Sequence, residues 1–203
     1  MFINMEDFMF WAETGFFHIL DWAGYDHMLF LLSLCCVFTF KDWKWLWLVS
    51  AFTIGHAISL SLSVLDVVRL PSAWVEAMIP ATIALSCLNH LFPIVFSKRF
   101  DVSPKSNSQT HLSVAMVFGL IHGLGFSNFL RSMLGSELSI LKPLLYFHVG
   151  LEVGQILIIF VVLLLTTFLS RLPNYNKSVV VAAISVPVLL ISLWMFLQRL
   201  GAF

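Results

Sequence analysis

The sequence predicts an all-α membrane protein: a polytopic helix bundle of about six transmembrane helices, preceded by an N-terminal interfacial or re-entrant helix. Two observations carry this. Of the 203 residues, 60% are hydrophobic and only 11% are charged, under half the roughly 25% charge of soluble domains. A soluble globule of this size could not hide so much apolar surface. The apolar residues also fall into runs of the length a bilayer asks for, about 20 residues each.

In chain order, residues 8–22 come first, apolar but interrupted by Glu13, His18 and Asp21. That mixture suits a helix lying at the membrane surface or re-entering it. Spans follow at about 24–40, 45–66, 72–97, 111–131, 143–170 and 178–198, separated by short polar breaks such as Lys41-Asp42 and Arg69-Leu70-Pro71. No linker divides the chain and no internal repeat stands out, so residues 1–203 read as a single integral membrane domain. Alternate loops carry seven and four Lys or Arg residues, and the positive-inside rule then puts both termini outside.

The balanced charge leaves no basic footprint for nucleic acid. Cys35, Cys36 and Cys87 lie in apolar runs, where cysteines read as small buried hydrophobes and not as a disulfide framework. The first residues lack the cationic start of a signal peptide.

Polar residues inside the spans carry the functional signal. An Asp, Lys or Arg at mid-membrane costs about 2.5–3.5 kcal/mol, so such residues line cavities or pair. Here Asp26, His27, His56, Glu76, His90, His122, His148 and Glu152 all fall within spans. No Lys or Arg lies deep in a span to balance the carboxylates, a task that a bound cation would perform. At about 1.5 Å of rise per residue, Asp26 and His27 lie roughly 3–5 Å below the outer edge, Glu76 roughly 6 Å and His148 roughly 8 Å. Glu152 lies roughly 14 Å deep, and His56 and His122 roughly 16 Å. His90 sits near the inner face, and His111 at the inner border.

Taken singly, each has a plainer use: Asp26 as a helix cap, a histidine as an interhelical hydrogen bond. Their shared depth argues for one site. His148, Glu152 and Gln155 share a helix face by their i, i+4, i+7 spacing. Gly119-x-x-x-Gly123 and Gly150-x-x-x-Gly154 are small-residue motifs that let backbones approach around His122 and Glu152. Asp26, His27, His56, His122, His148 and Glu152 are therefore the expected ligands of a divalent transition metal, with Glu76, His18, Asp21 and Gln155 in secondary places. Imidazole suits Ni, Zn, Co, Cu and Fe. The span 178–198 holds no ionisable group before Arg199 and is expected to be scaffold.

Five stretches resemble the HupE/UreJ family of bacterial membrane proteins: HILDWAGYDHMLFLLSL (18–34), FTIGHAISLSL (52–62), WVEAMIPATIALS (74–86), FGLIHGLGFSNFL (118–130) and FHVGLEVGQ (147–155). The resemblance implies an inner-membrane permease for nickel or a related metal, linked to hydrogenase or urease maturation. It implies that Asp26, His27, His56, Glu76, His122 and Glu152 are the motif positions that matter. His148 stands where the relatives most like this chain carry Asn.

Two functions follow as expectations. One is transport of a divalent transition metal, nickel or zinc, through the outer-half His/Asp/Glu site. The other is an intramembrane zinc hydrolase whose metal-activated water opens to the outer face, with Glu76 or Glu152 as general base. The expected partners are the lipid bilayer and the metal ion, with a second copy of the chain or metalloenzyme-maturation proteins as further candidates.

Overall fold

The computed structural model describes residues 4–96, 108–134, 140–173 and 175–201. Among them the chain is helical throughout: α1 (Met5–Leu20), a 3-10 turn (Trp22–Gly24), α2 (Asp26–Cys35), α3 (Lys44–Val64), α4 (Ser72–Phe96), α5 (Ser108–Gly125), α6 (Ser127–Leu134), α7 (Leu141–Leu169) and α8 (Lys177–Leu200). The loop cations Lys98, Arg99 and Lys105, and the side chain of His111, lie outside the described residues.

Four of the expected spans form nearly as read. Helices α3, α4, α7 and α8 are each long and apolar enough to cross a membrane, and the pair α5–α6, bent by 52°, makes a fifth if it is one span. Large apolar side chains such as Ile54, Val117, Val153 and Phe160 face outward. Many of the polar side chains face inward: Ser33, Thr53, His56, Thr82, His122 and Gln155 are all buried. An apolar exterior around a polar interior is what lipid surroundings select, because only protein groups can satisfy hydrogen bonds there.

The first two elements differ from expectation. Residues 24–40 do not make one helix, since α2 covers only ten residues before the turns that follow it. Helix α1 does not lie apart from the bundle either. It packs lengthwise along α7 in the same direction, Phe8 against Tyr146 with ring centroids 5.1 Å apart, and Phe16 and Ile19 against Gly154. Farther along, the Thr166 hydroxyl donates to the Phe38 carbonyl. From Tyr146 to Thr166, α7 rises about 30 Å. Over that length α1, the 3-10 turn and α2 accompany it as one broken segment.

The reason is close packing of small residues. A Cβ at Gly15 would run into the carbonyl of Phe147, and one at Gly150 into that of Ala12. Helices α3 and α5 interlock by the same rule. A Cβ at Gly55 would meet the Met116 carbonyl, and one at Gly119 the carbonyl of Phe52. Both pairs run parallel within themselves. They run opposite to each other, because His56 on α3 meets His148 on α7 while Ser50 meets Glu152. The third pair, α4 and α8, is antiparallel: Arg199 reaches the Glu76 carbonyl at one end, and Ile94 and Ser178 share a groove at the other. Helix α2 is wedged among α4, α7 and α8. One end of the bundle, where α1, α4 and α7 begin and α3, α5 and α8 finish, is the upper end.

Candidate functional site

Four histidines from four helices converge below the upper end. His18 comes from the last turn of α1, His27 from the first turn of α2, His56 from the middle of α3 and His122 from α5. One ring nitrogen each of His18, His27 and His56 lies within 4.8 Å of the others. The His122 ring adjoins that of His27, with centroids 5.2 Å apart. Phenylalanines enclose the group: Phe126 lies 3.8 Å from the His18 ring, Phe30 and Phe52 lie 5.2 and 5.3 Å from His122, and Phe147 stacks on His56. His56 and His122 are 0% and 1% exposed.

Counting protons fixes which nitrogen His56 and His122 present. The Nδ1 of His148 lies 2.6 Å from the Leu144 carbonyl, which can only accept, so Nδ1 carries the hydrogen and Nε2 is a lone pair. That lone pair, 3.2 Å from His56 Nδ1, accepts its hydrogen. His56 therefore presents Nε2 as a lone pair, and no partner meets it. Thr82 gives its hydroxyl hydrogen to the Ile79 carbonyl at 2.7 Å, so it accepts from His122 Nε2 at 3.2 Å. His122 is left with Nδ1 bare and unpartnered. In His27, Nδ1 lies 3.0 Å from Asp26 Oδ1, which accepts from the His27 backbone N–H at 2.9 Å, and both ring nitrogens are buried without a hydrogen-bond partner. His18 Nε2 is likewise buried without a partner.

Each buried polar atom left unpaired costs about 1–3 kcal/mol, and native folds keep few of them. The bare nitrogens of His56 and His122 thus lie in one cluster with the unpartnered ring nitrogens of His18 and His27. Such a cage is complementary to a cation.

The expected ligands divide into two groups. His27, His56 and His122 are brought together, joined by His18 from the secondary set. Asp26 and His148 stand one layer behind, orienting His27 and His56. Glu152 accepts from the Ser50 hydroxyl at 2.8 Å, and Gln155 accepts from Thr53 at 2.7 Å, both on the α3–α7 face and away from the cage. Glu76 is exposed on α4, its carboxylate bonded to Ser72 at 2.7 Å. Asp21 follows α1 and lines a mostly apolar cleft of about 690 Å³ with Phe17, His18, Trp22 and Phe129. That cleft reaches the cage at His18.

A family model described as HupE / UreJ protein matches residues 3–199, nearly the whole chain. The chain belongs to the HupE/UreJ family. No curated protein and no solved structure matches it. In this HupE/UreJ chain, the stretches 18–34, 52–62, 74–86, 118–130 and 147–155 supply the four histidines of the cage together with Asp26, Thr82 and His148.

Sequence reasoning missed one feature of this HupE/UreJ site. Arg199, at the end of α8, lies 3.5 Å from Asp26 Oδ2 and donates to the Glu76 carbonyl at 2.6 Å. The carboxylate of Asp26 is thus balanced by a protein cation at the end of α8, just beyond the span 178–198 expected to be scaffold. The signal was present, since an antiparallel α4–α8 pair brings residue 199 level with residue 76. A buried hydroxyl–thiol file also leads down from His122. Thr82 is one turn from Ser86 on α4, Ser86 and Ser33 hydroxyls meet at 3.2 Å, Cys36 Sγ reaches the Ser33 carbonyl at 3.3 Å, and Cys36 meets Ser185 at 3.9 Å.

Proposed function

We propose that the chain passes a divalent transition-metal ion, nickel or zinc, across the bacterial inner membrane, with the four-histidine cage as the site where the ion rests. The observation that carries this reading is the cluster of four histidines, each with a buried ring nitrogen that no protein group meets. Neutral nitrogen ligands suit nickel and zinc, and hard oxygen-seeking ions such as magnesium would be poorly served.

The looseness of the cage supports passage over permanent residence. Nitrogens bound to zinc at about 2.0–2.1 Å in a tetrahedron stand about 3.4 Å from one another. The three nitrogens here, spread over as much as 4.8 Å, would have to close by more than about 1 Å. A site that tightens around its ion and relaxes again suits an ion that must leave. The file from Thr82 through Ser33 and Cys36 to Ser185 offers polar atoms below the cage, as passage requires. A hydrolytic reading is less well supported, because Glu76 points outward and Glu152 is committed to Ser50, leaving neither beside the cage as a base.

In this reading the broken segment α1–α2 is a sixth crossing, the upper end is the outer face and both termini lie outside. Purified protein in liposomes should take up radioactive nickel or zinc with saturation, and His56→Ala with His122→Ala should abolish the uptake. Uptake that persists in the double variant would remove the cage from the path. Stoichiometric zinc that never exchanges would favour the hydrolase.

A further inference from the structure

A second site lies at the upper end, apart from the cage. It is a cavity of about 270 Å³ between the end of α3, the start of α4 and the α5–α6 bend, lined by Ser63, Arg69, Ser72, Ser127, Asn128 and Arg131 among others. Its wall carries two guanidinium groups and no carboxylate. Arg69 and Arg131 both pair with Asp66, which stands behind them and does not line the cavity.

Asp66 is an unusual residue to find there. Helix α3 ends in a Schellman turn, with Val67 N–H on the Leu62 carbonyl at 2.9 Å and Asp66 N–H on that of Ser63 at 3.0 Å. The residue at that turn takes a left-handed conformation, and Asp66 has φ 66°, where glycine is the usual occupant. An L side chain costs about 1–2 kcal/mol in this region. A carboxylate at the C-terminus of a helix also faces the negative end of the helix dipole. Two unfavourable terms are accepted at one residue, and the return is that its carboxylate holds two arginines side by side. Each guanidinium has five N–H donors. Asp66 and the Ser63 carbonyl engage two on Arg69 and two on Arg131. The remaining donors and the Asn128 amide surround the cavity, together with the first turns of α4 and α6, whose backbone N–H groups favour anions.

We propose that this cavity binds a small oxyanion bearing carboxylate or phosphate groups, and that the ion of the preceding section arrives as the complex of such an anion. Two arginines at the mouth repel a bare divalent cation and attract an anionic chelate. From the cavity floor at Ser63, the buried face of α3 runs through Ser59 to His56, about 10 Å along the helix. A polycarboxylate seated on Arg69 and Arg131 therefore holds its metal above the cage, and the imidazoles strip it. This second clause rests on the transport reading, whereas anion binding itself does not.

The test begins without metal. Protein in nanodiscs of zwitterionic lipid is titrated with citrate and, separately, with inorganic phosphate. Saturable citrate binding is expected, weakened about tenfold or more by Arg69→Gln, as expected for losing a charged hydrogen bond. Arg69 is the safer of the two variants because its side chain is 74% exposed and carries no packing. Arg131→Gln should weaken binding further. Absence of binding, or affinity equal in wild type and Arg69→Gln, overturns the proposal. So does citrate binding that vanishes in nanodiscs containing anionic lipid while native mass spectrometry finds that lipid retained, since the cavity would then be a headgroup site. Uptake is measured next, with nickel given as the aquo ion or as the citrate complex. Arg69→Gln should lower uptake of the complex several-fold and spare the aquo ion, and equal effects on both overturn the delivery clause. Citrate binding without any nickel uptake would sink the transport reading and leave the anion site standing.

Discussion

Helix pairs α1–α7 and α3–α5 are built alike and used differently. In each, a glycine of the first helix meets the backbone of the second, and two glycines four residues apart return the contact: Gly15 with Gly150 and Gly154, Gly55 with Gly119 and Gly123. Beside these glycines, α3–α5 carries His56 and His122, buried in the cage. In the same places α1–α7 carries Phe16 and the exposed Val153. The glycines therefore set where the helices run, and the neighbouring residues decide what chemistry the contact holds. Position and reactivity are separable.

The strongest way to break the comparison is to fill the contact. Gly119→Ala and Gly150→Ala each drive a methyl into a carbonyl that cannot move aside, so each should cost about 3 kcal/mol or more, the upper range for overpacking. Unfolding in detergent monitored by circular dichroism reads this directly. Should one be tolerated with less than about 1 kcal/mol of loss, the two pairs are not built by one rule.

Chemistry should then divide where packing does not. His56→Ala is expected to lower nickel or zinc affinity by about 100-fold, near 2.7 kcal/mol, while Phe16→Ala leaves it within about twofold. Calorimetric titration in nanodiscs measures both. Equal losses would mean that His56 acts through packing alone. Smaller effects belong to the supports. Thr82→Val should cost about tenfold in affinity, within the range seen when the group orienting a metal-binding histidine is removed. Nitrogen NMR of the His122 ring would show the accompanying mixture of tautomers, and an unchanged spectrum would contradict the proton count. The smallest shift is expected from Ser185→Ala. It should slow uptake about two- to threefold with affinity unchanged, as for loss of a single weak polar contact, and an altered affinity would tie Ser185 to the cage instead.

Hydropathy made α3, α4, α7 and α8 legible because a long apolar run has few other uses. It failed at α1 and α2, where sixteen and ten residues are each too short to register and the partner that joins them, α7, is more than a hundred residues away. Depth arithmetic brought His56 and His122 to one level, since rise per residue is nearly constant, but left His27 nearer the outer edge because it took residue 24 as the start of a span, where the structure has α1 before it. It could not assign rotation about the helix axis. For that reason Glu76 and Glu152, at suitable depths, turn out to face Ser72 and Ser50. Nor could it separate a ligand from its support: Asp26 and His148 have the right depth and the right chemistry, but stand behind the rings they orient. The paired G-L-x-x-G segments at 119–123 and 150–154 were visible as packing motifs. Their equivalence became evident only once both contacts could be laid over each other.

The pairing of α1 with α7 also sets an order of assembly. At about 5–20 residues per second of synthesis, roughly 7–27 s pass between the emergence of Gly15 and that of Gly150. For all that time α1 has no glycine stripe to lie against. With Glu6, Asp7 and Glu13 in a helix of sixteen residues, it is too short and too acidic to stay in the bilayer alone. It must wait at the ribosome-facing or headgroup surface, a peripheral helix until α7 arrives. The last side chain to join the cage, His18, is then made before the other three.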